Sequence, residues 1–288
     1  MPKSEPAVRI VPKRNSLLIF QVSVNSFHRV EQLYCPKGRM SIGGWFHGPP
    51  VAYPTTFSLP DPFTLAPFPT QDRGEELLAE WINPVYLQED SQQQIQQQFE
   101  QDSQISLQQF LRPELFQRLR DFVLAKPEQE WSTQSPPHQR YYKAAPFEPK
   151  EESVLGHFAR LLVCPAFLAL MKRLTDLDLS QYFAELQQFG NGHFTLMHDG
   201  DSRRKREGLD CMFYLIEESL DWDEGWGAYT SYNGDEGELL TVTPCGNTLS
   251  LVFCDEGISR FTKFVNYHVP CPMYNVYMLA YEAEAPSP

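Results

Sequence analysis

Short apolar runs of strand length recur along the last third of the chain. From Leu177 onward, the period switches to two, and eight short apolar runs recur, each bounded by Gly, Asp, Asn or Pro. They read YFAELQQF, HFTLMHD, LDCMFYLI, GAYTSY, ELLTVT, TLSLVF, FTKFVNY and NVYMLAYE. Alternation with a period of two indicates strands that bury one face. The pattern therefore predicts a double-stranded β-helix, or jelly roll, over residues 177–288.

Apolar spacing typical of helices precedes these strands, over residues 75–176. In the glutamine-rich stretch 87–111, apolar residues recur at helical spacing, which favours an amphipathic helix over low-complexity disorder. Pro113 suits the first turn of a second helix. A third, more apolar helix is predicted over about 151–174, and Pro165 should start or kink its second half. The fold class predicted is α+β, mainly β, with helices flanking the jelly roll.

The start of the chain shows the strand pattern on a smaller scale. Residues 16–24 (SLLIFQVSV) and 39–47 (RMSIGGWFH) are apolar runs separated by the turn-prone segment CPKGR. They predict the last strands of a second, truncated double-stranded β-helix over residues 1–48. Prolines then recur so often that neither a helix nor a central strand can persist, and residues 49–74 are predicted to be an extended linker.

Composition narrows the choice of partners. The formal charge is −13 and the pI is near 5.0, which argues against non-specific binding to nucleic acid or to an anionic membrane. No apolar stretch approaches the length of a membrane-spanning helix, and the first residues lack the apolar core of a signal peptide. The six cysteines form no Cys-x-x-Cys pair, which fits a reducing compartment such as the cytosol or nucleus.

Candidate chemistry is concentrated in the first fifty residues. His28 precedes Arg39 by eleven positions (39 − 28). On a strand that starts at Arg39, alternation places Arg39, Ser41 and Trp45 on one face, so the first two could grip one carboxylate. A histidine in a turn and a surface arginine would give the same spacing. Spacing alone therefore leaves both interpretations open.

The order of several motifs adds more specific information. The stretch NSLLIFQVSVNSFHRVEQLYCPKGRMSIGGWFHGP is followed by WINPVYL, IQQQFE, LQQFLRPELF and EWSTQSPP, and later by GHFTLMHD, ELLTVTP and NTLSLVF. This series resembles the ribosomal prolyl 3-hydroxylase family of 2-oxoglutarate- and iron-dependent oxygenases, which includes the fungal termination and polyadenylation proteins. The resemblance implies a catalytic double-stranded β-helix followed by a second, metal-free one.

The resemblance also implies an activity and a set of site residues. The family hydroxylates a prolyl residue of a small-subunit ribosomal protein with Fe(II), 2-oxoglutarate and oxygen, supported by L-ascorbate, in the cytoplasm and nucleus. His28 matches the distal iron-binding histidine of the family. Arg39 matches the arginine that binds 2-oxoglutarate, and Ser41 would assist at the same carboxylate. Trp45 would line the pocket or pack in the core.

The sequence departs from the family at the other two iron ligands. In the family these form a His-x-Asp motif on an earlier strand, and no histidine precedes His28 here. A facial triad needs two histidines and one carboxylate. The chain is therefore expected to be an incomplete oxygenase that is inactive alone, whether as a fragment, an alternative start or a faulty gene model.

The second β-helix offers a superficially similar set, His198, Asp199 and His268. Ligands on one strand face must lie two positions apart, and the residue two beyond His198 is Gly200. No Arg or Lys follows Lys263 to bind a co-substrate. We expect packing or turn histidines here, and the same for His193.

Two further features bear on function. The basic cluster at 203–206 is expected to be a solvated loop tip, with a phosphate or ribosomal RNA contact as the alternative. Two function hypotheses follow for the chain. It is part of a prolyl hydroxylase, or it is a non-catalytic module that binds a basic ribosomal or translation partner through DWDEGW and NGDEGE.

Overall fold

A computed structural model describes residues 5–23, 26–48, 64–70, 74–196 and 207–283. Along the sequence, the α-helices come before the longest strands. Within the described residues the α-helices are α1 (Glu75–Trp81), α2 (Glu89–Asp102), α3 (Pro113–Leu124), α4 (Val154–Val163) and α5 (Pro165–Thr175).

Short strands lie before and between the helices, and longer strands follow them almost to the end of the chain. Those in the described ranges are β1 (Ala66–Pro67), β2 (Gln104–Leu107), β3 (Ser132–Gln134), β4 (Arg140–Ala145), β5 (Leu179–Phe189), β6 (Phe194–Thr195), β7 (Gly208–Tyr214), β8 (Thr230–Gly234), β9 (Gly237–Val242), β10 (Thr248–Cys254), β11 (Ser259–Thr262) and β12 (Met273–Glu282). Each of the eight runs predicted from alternation overlaps one of β5 to β12.

The strands form two antiparallel sheets. The larger sheet has the order β2-β10-β7-β12-β5-β4-β3, with β1 added to β5 and β6 added to β4. The smaller sheet has the order β11-β8-β9. β1 to β7 all lie in the larger sheet, and the chain then crosses between the sheets after β7, β9, β10 and β11. This arrangement confirms the predicted jelly roll with flanking helices.

Alternation along the strands produces two cores. On β7, Leu209, Cys211 and Phe213 face the helices, whereas Met212 and Tyr214 face the smaller sheet. The helix-side core centres on Phe213, whose ring lies 5.1 Å from that of Phe158 on α4. The other core, between the two sheets, is called the inter-sheet core; its buried members include Tyr142, Met212, Tyr214, Tyr232, Tyr277, Leu279 and Tyr281.

The sequence predictions for α3, α4 and α5 were correct, and the prediction for α2 was partly correct. Proline occupies the first turn of both α3 and α5 as expected. Extended backbone at Cys164 (ψ 153°) separates α4 from α5, so Pro165 starts a new helix. The glutamine-rich helix α2 is shorter than predicted: Ser103 adopts φ 53° and ends it. Residues 104–107 then pair with β10 as an edge strand.

α4 and α5 also bear on membrane insertion. No single helix in the described residues is long and apolar enough to cross a membrane. These two pass that test only as a pair, across a 54° bend.

The two strands predicted near the start are not formed in the structure. Residues 5–23 and 26–48 contain no helix or strand. Met40 and Phe46 are fully exposed, at 98% and 100%. The physical reason is pairing, because an isolated pair of strands is marginal in water and these runs have no neighbouring strand within the described residues.

The predicted linker 49–74 falls mostly outside the described residues, and the domain boundaries stay a prediction. The part of this linker that the structure describes packs against the larger sheet and is not a free extended segment. Ala66–Pro67 pairs with β5, and Phe68 is buried with its ring 4.6 Å from that of Tyr182. Phe68 also donates its backbone N–H to the Ser180 carbonyl. The end of this stretch therefore belongs to the larger sheet.

Candidate functional site

The predicted iron and co-substrate residues lie on the exposed segment 26–48. His28, Arg39 and Ser41 are all exposed. His28 Nδ1 lies 2.9 Å from the Ser26 carbonyl oxygen, and its ring meets that of Phe20 edge-on at 4.8 Å. No hydrogen bond or ion pair joins His28, Arg39 and Ser41, although all three lie in the described residues. Their roles therefore stay predictions.

Two aromatic contacts attach this segment to the β-helix. The ring of Phe27, next to His28, lies 5.0 Å from that of His138 in the loop between β3 and β4. The ring of Tyr34 lies 5.2 Å from that of Tyr267, between β11 and β12. Trp45 makes no comparable contact and is 76% exposed. The pocket or core role predicted for Trp45 is therefore not seen.

The described residues do not make a complete iron site. A facial triad needs three protein ligands. In the parts of the chain that the structure describes, no group of three His, Cys, Asp or Glu side chains could hold a metal ion. His28 is the residue of this segment that the family resemblance assigns to iron, and one ligand does not fit Fe(II) without ligands from elsewhere.

The histidines of the β-helix differ in their surroundings. His198 and Asp199 lie outside the described residues, as does the basic cluster 203–206. His268 is exposed, and its backbone N–H donates to Asn266 Oδ1 at 2.8 Å. His193 is 8% exposed; its Nδ1 lies 3.0 Å from the Gly190 nitrogen and 3.1 Å from the Gln188 carbonyl oxygen, and its ring packs edge-on against Tyr141. Burial lowers the pKa of His193. It stabilises the turn between β5 and β6.

The inter-sheet core carries ionisable groups that the sequence pattern did not reveal. Asp210 on β7 is fully buried and lies beside Arg260 on β11. A second buried acid, Glu185, accepts hydrogen bonds from Tyr142 (2.7 Å) and Gln187 (2.6 Å). Burial also raises the pKa of Tyr214 in this core. The sequence signals were two acids inside strand runs, Asp210 in LDCMFYLI and Glu185 in YFAELQQF.

Two family models match the chain. Residues 73–285 match the family described as "Oxoglutarate and iron-dependent oxygenase degradation C-term". The chain belongs to this family. Residues 1–47 match the 2OG-Fe(II) oxygenase superfamily, so the segment with His28 and Arg39 has its own, separate match.

Curated relatives agree with these matches. The chain is 31% identical to prolyl 3-hydroxylase OGFOD1 of Mus musculus and 32% identical to that of Xenopus laevis, over 90% of this chain in both cases. It is 27% identical to prolyl 3-hydroxylase sudestada1 of Drosophila melanogaster, over 94% of this chain. The chain spans between 55% and 59% of the length of these three proteins.

Solved structures support the fold. A Pseudomonas putida prolyl-4-hydroxylase superimposes with a TM-score of 0.52 at 12% identity, over 67% of this chain and 100% of that one. A Trichoplax adhaerens prolyl hydroxylase, solved with a hypoxia-inducible factor peptide, gives 0.51 at 15% identity, over 67% and 90%. At these identities the likeness concerns the fold alone, the double-stranded β-helix of the 2-oxoglutarate oxygenases.

Proposed function

We propose that this chain is part of a 2-oxoglutarate- and Fe(II)-dependent prolyl 3-hydroxylase that acts on a proline of a small-subunit ribosomal protein. In this proposal His28 is one iron ligand, and Arg39 with Ser41 binds a carboxylate of 2-oxoglutarate. L-ascorbate supports turnover, and the protein works in the cytoplasm and nucleus. Translation factors are possible further partners.

One observation carries the proposal. Three relatives from a mammal, an amphibian and an insect are all named prolyl 3-hydroxylases, and each matches at least 90% of this chain. The oxygenase superfamily model matches residues 1–47, the segment before the linker. The named reaction therefore has support at both ends of the chain.

The residue types suit their proposed roles. A guanidinium presents a planar fork of donors that matches a carboxylate in a bidentate geometry, which a lysine cannot reproduce. A serine two positions on can donate one more hydrogen bond on the same strand face. A neutral imidazole is a common iron ligand. Because no histidine precedes His28 in the sequence, the other two ligands must come from elsewhere.

Turnover of a proline-containing ribosomal peptide tests the proposal. Incubation with Fe(II), 2-oxoglutarate and ascorbate is followed by mass spectrometry for the gain of one oxygen atom. We expect no product from the chain alone, and product from a polypeptide that also supplies the His-x-Asp strand. Hydroxylation by the unextended chain would show that the ligand assignment is wrong.

Substitutions in the extended polypeptide separate the two roles. His28→Ala should abolish turnover, whereas Arg39→Ala should mainly raise the KM for 2-oxoglutarate. Arg29→Ala is the matched control, because Arg29 lies on the same exposed segment and pairs only with Glu31 there, at 2.8 Å. Equal losses in all three variants would point to disruption of the segment and would argue against the assigned roles.

A second candidate function rests on the acidic surface. The stretches 221–226 and 233–238 flank β8 at the smaller sheet, and Asp223, Glu224, Asp235 and Glu236 are all exposed. With a formal charge of −13 on the chain, this face suits a basic ribosomal or translation partner. In this alternative the β-helix acts as a non-catalytic binding module.

Charge reversal distinguishes this alternative. Asp235→Lys with Glu236→Lys should weaken binding of a basic ribosomal peptide about tenfold, and the effect should shrink at high salt. Glu100→Lys with Asp102→Lys is the matched control, since both acids are exposed on α2, outside the smaller sheet. Equal weakening in both pairs would indicate attraction by net charge without a defined site.

A further inference from the structure

The inter-sheet core contains a buried carboxylate that both sheets contact. Asp210 lies on β7 of the larger sheet and has no exposed surface. Tyr277 on β12, from the same sheet, donates its hydroxyl to Asp210 Oδ1 at 2.9 Å. Tyr232 on β8 of the smaller sheet donates to Asp210 Oδ2, also at 2.9 Å. Two donated hydrogen bonds suit an ionised carboxylate, which can only accept.

A guanidinium joins the cluster from the opposite sheet. Arg260 on β11 is the cross-strand neighbour of Tyr232. Its Nε lies 3.7 Å from Asp210 Oδ2, close enough for an ion pair but longer than a hydrogen bond. Its guanidinium carbon lies 3.9 Å from the centre of the Tyr277 ring, within the range of a cation–π contact. The Arg260 side chain is 14% exposed.

These contacts select for the shape of the cation as well as its charge. A buried carboxylate is strongly destabilising unless a cation accompanies it. The Tyr277 ring offers a flat face, which a planar guanidinium covers better than an ammonium does. Three strands bring together the side chains of Asp210, Tyr277 and Tyr232. Together these side chains form a preorganised acceptor for such a cation.

We propose that Asp210, Tyr232 and Tyr277 form a guanidinium-binding site inside the β-helix, and that Arg260 is its built-in ligand. The Arg260 side chain fills this site from the smaller sheet and cross-links the two sheets through the interior. All four residues lie within 207–283, and their contacts do not depend on prolyl hydroxylation.

Chemical rescue tests the site directly. Arg260→Ala removes the guanidinium and leaves its acceptor in place, so millimolar ethylguanidinium chloride should refill the site and stabilise the variant by mass action. We expect the Tm of Arg260→Ala to rise by roughly 2–4 °C. Ammonium chloride at the same concentration should give no such rise. If the variant is unfolded, ethylguanidinium should restore its folded circular dichroism signal.

Two controls make the rescue specific. Arg118→Ala removes an exposed arginine on α3, and its Tm should not rise with ethylguanidinium. Arg260→Ala combined with Asp210→Asn should lose the rescue. An absence of rescue in Arg260→Ala, or equal rescue by ammonium, would overturn the proposal.

A double-mutant cycle gives an independent measurement. Asp210 and Arg260 both make additional contacts, so single substitutions cannot isolate their interaction. Urea unfolding of Arg260→Gln, Asp210→Asn and the double variant gives the interaction free energy between the two side chains. We expect coupling that changes the unfolding equilibrium constant about tenfold. Strictly additive effects would contradict a site built for Arg260.

Discussion

Cys35-Pro36 and Cys271-Pro272 each precede an apolar run typical of a strand. The second run becomes β12, in which nine of ten residues are buried. The first run, 39–47, forms no strand, and Ile42 within it is fully exposed. Run 39–47 carries apolar side chains mainly at alternate positions, whereas β12 is apolar at almost every position, as a strand buried on both faces requires.

Neighbouring strands account for the difference between the two runs. β12 lies between β5 and β7 and pairs with both along most of its length. Its side chains enter the helix-side core on one face and the inter-sheet core on the other. Run 39–47 has no strand on either side in the described residues. A strand pattern therefore predicts the capacity to form a strand, and pairing decides whether the strand forms.

The largest expected effect compares two phenylalanines. Phe213 is 1% exposed and contacts the rings of Phe110, Phe116 and Phe158. Phe213→Ala should lower the free energy of unfolding by about 3–5 kcal/mol, because it leaves a cavity in the helix-side core. Phe46→Ala, at a fully exposed position, should change it by less than about 0.5 kcal/mol. Urea titration measures both, and a large effect at Phe46 would show that its segment is packed.

An intermediate effect compares two asparagines with left-handed backbone. Asn247 (φ 50°) is fully buried, and its side chain both accepts from the Leu111 N–H and donates to the Leu111 carbonyl, each at 3.0 Å. Asn247→Ala should destabilise the protein by about 2–3 kcal/mol, since it strands buried backbone groups. Asn15 (φ 55°) is exposed, so Asn15→Ala should cost about 1 kcal/mol at most, from the left-handed backbone alone. Thermal unfolding measures both variants.

The smallest expected effect concerns pH. Burial lowers the pKa of His193, and the hydrogen bond to the Gln188 carbonyl offsets this only in part. Below about pH 6.5 the unfolded chain therefore binds the proton more readily than the folded one does. Stability should fall as pH drops through that value towards the lowered pKa. His193→Gln should flatten this part of the curve of unfolding free energy against pH; an unchanged slope would assign it to other groups.

Much of the β-helix could be predicted from local pattern. The eight runs from Leu177 overlap β5 to β12, and Pro113 and Pro165 begin helices because proline suits a first turn. The pattern missed β3 and β4 in the segment predicted to be helical, and it failed at β2, a four-residue strand that follows α2 directly. There a left-handed Ser103 ends the helix, and pairing with β10 holds the strand. Both depend on tertiary contacts.

The chemistry was less accessible to sequence reasoning. The resemblance supplied roles for His28, Arg39 and Ser41, but the described structure does not bring these side chains together. The pairing of Asp210 with Arg260 went unseen, because the two lie fifty positions apart (260 − 210) on strands of different sheets. An aspartate in an apolar strand shows that a partner is needed, but not which residue provides it.

Amide hydrogen exchange of the whole chain, read by mass spectrometry, tests most directly whether pairing separates the two runs. Protection from exchange reports hydrogen-bonded, buried backbone. We predict that peptides covering β12 stay protected for hours, whereas peptides covering 39–47 exchange fully at the first time point. Comparable protection of 39–47 and β12 would contradict the account, because it would require the first run to be paired.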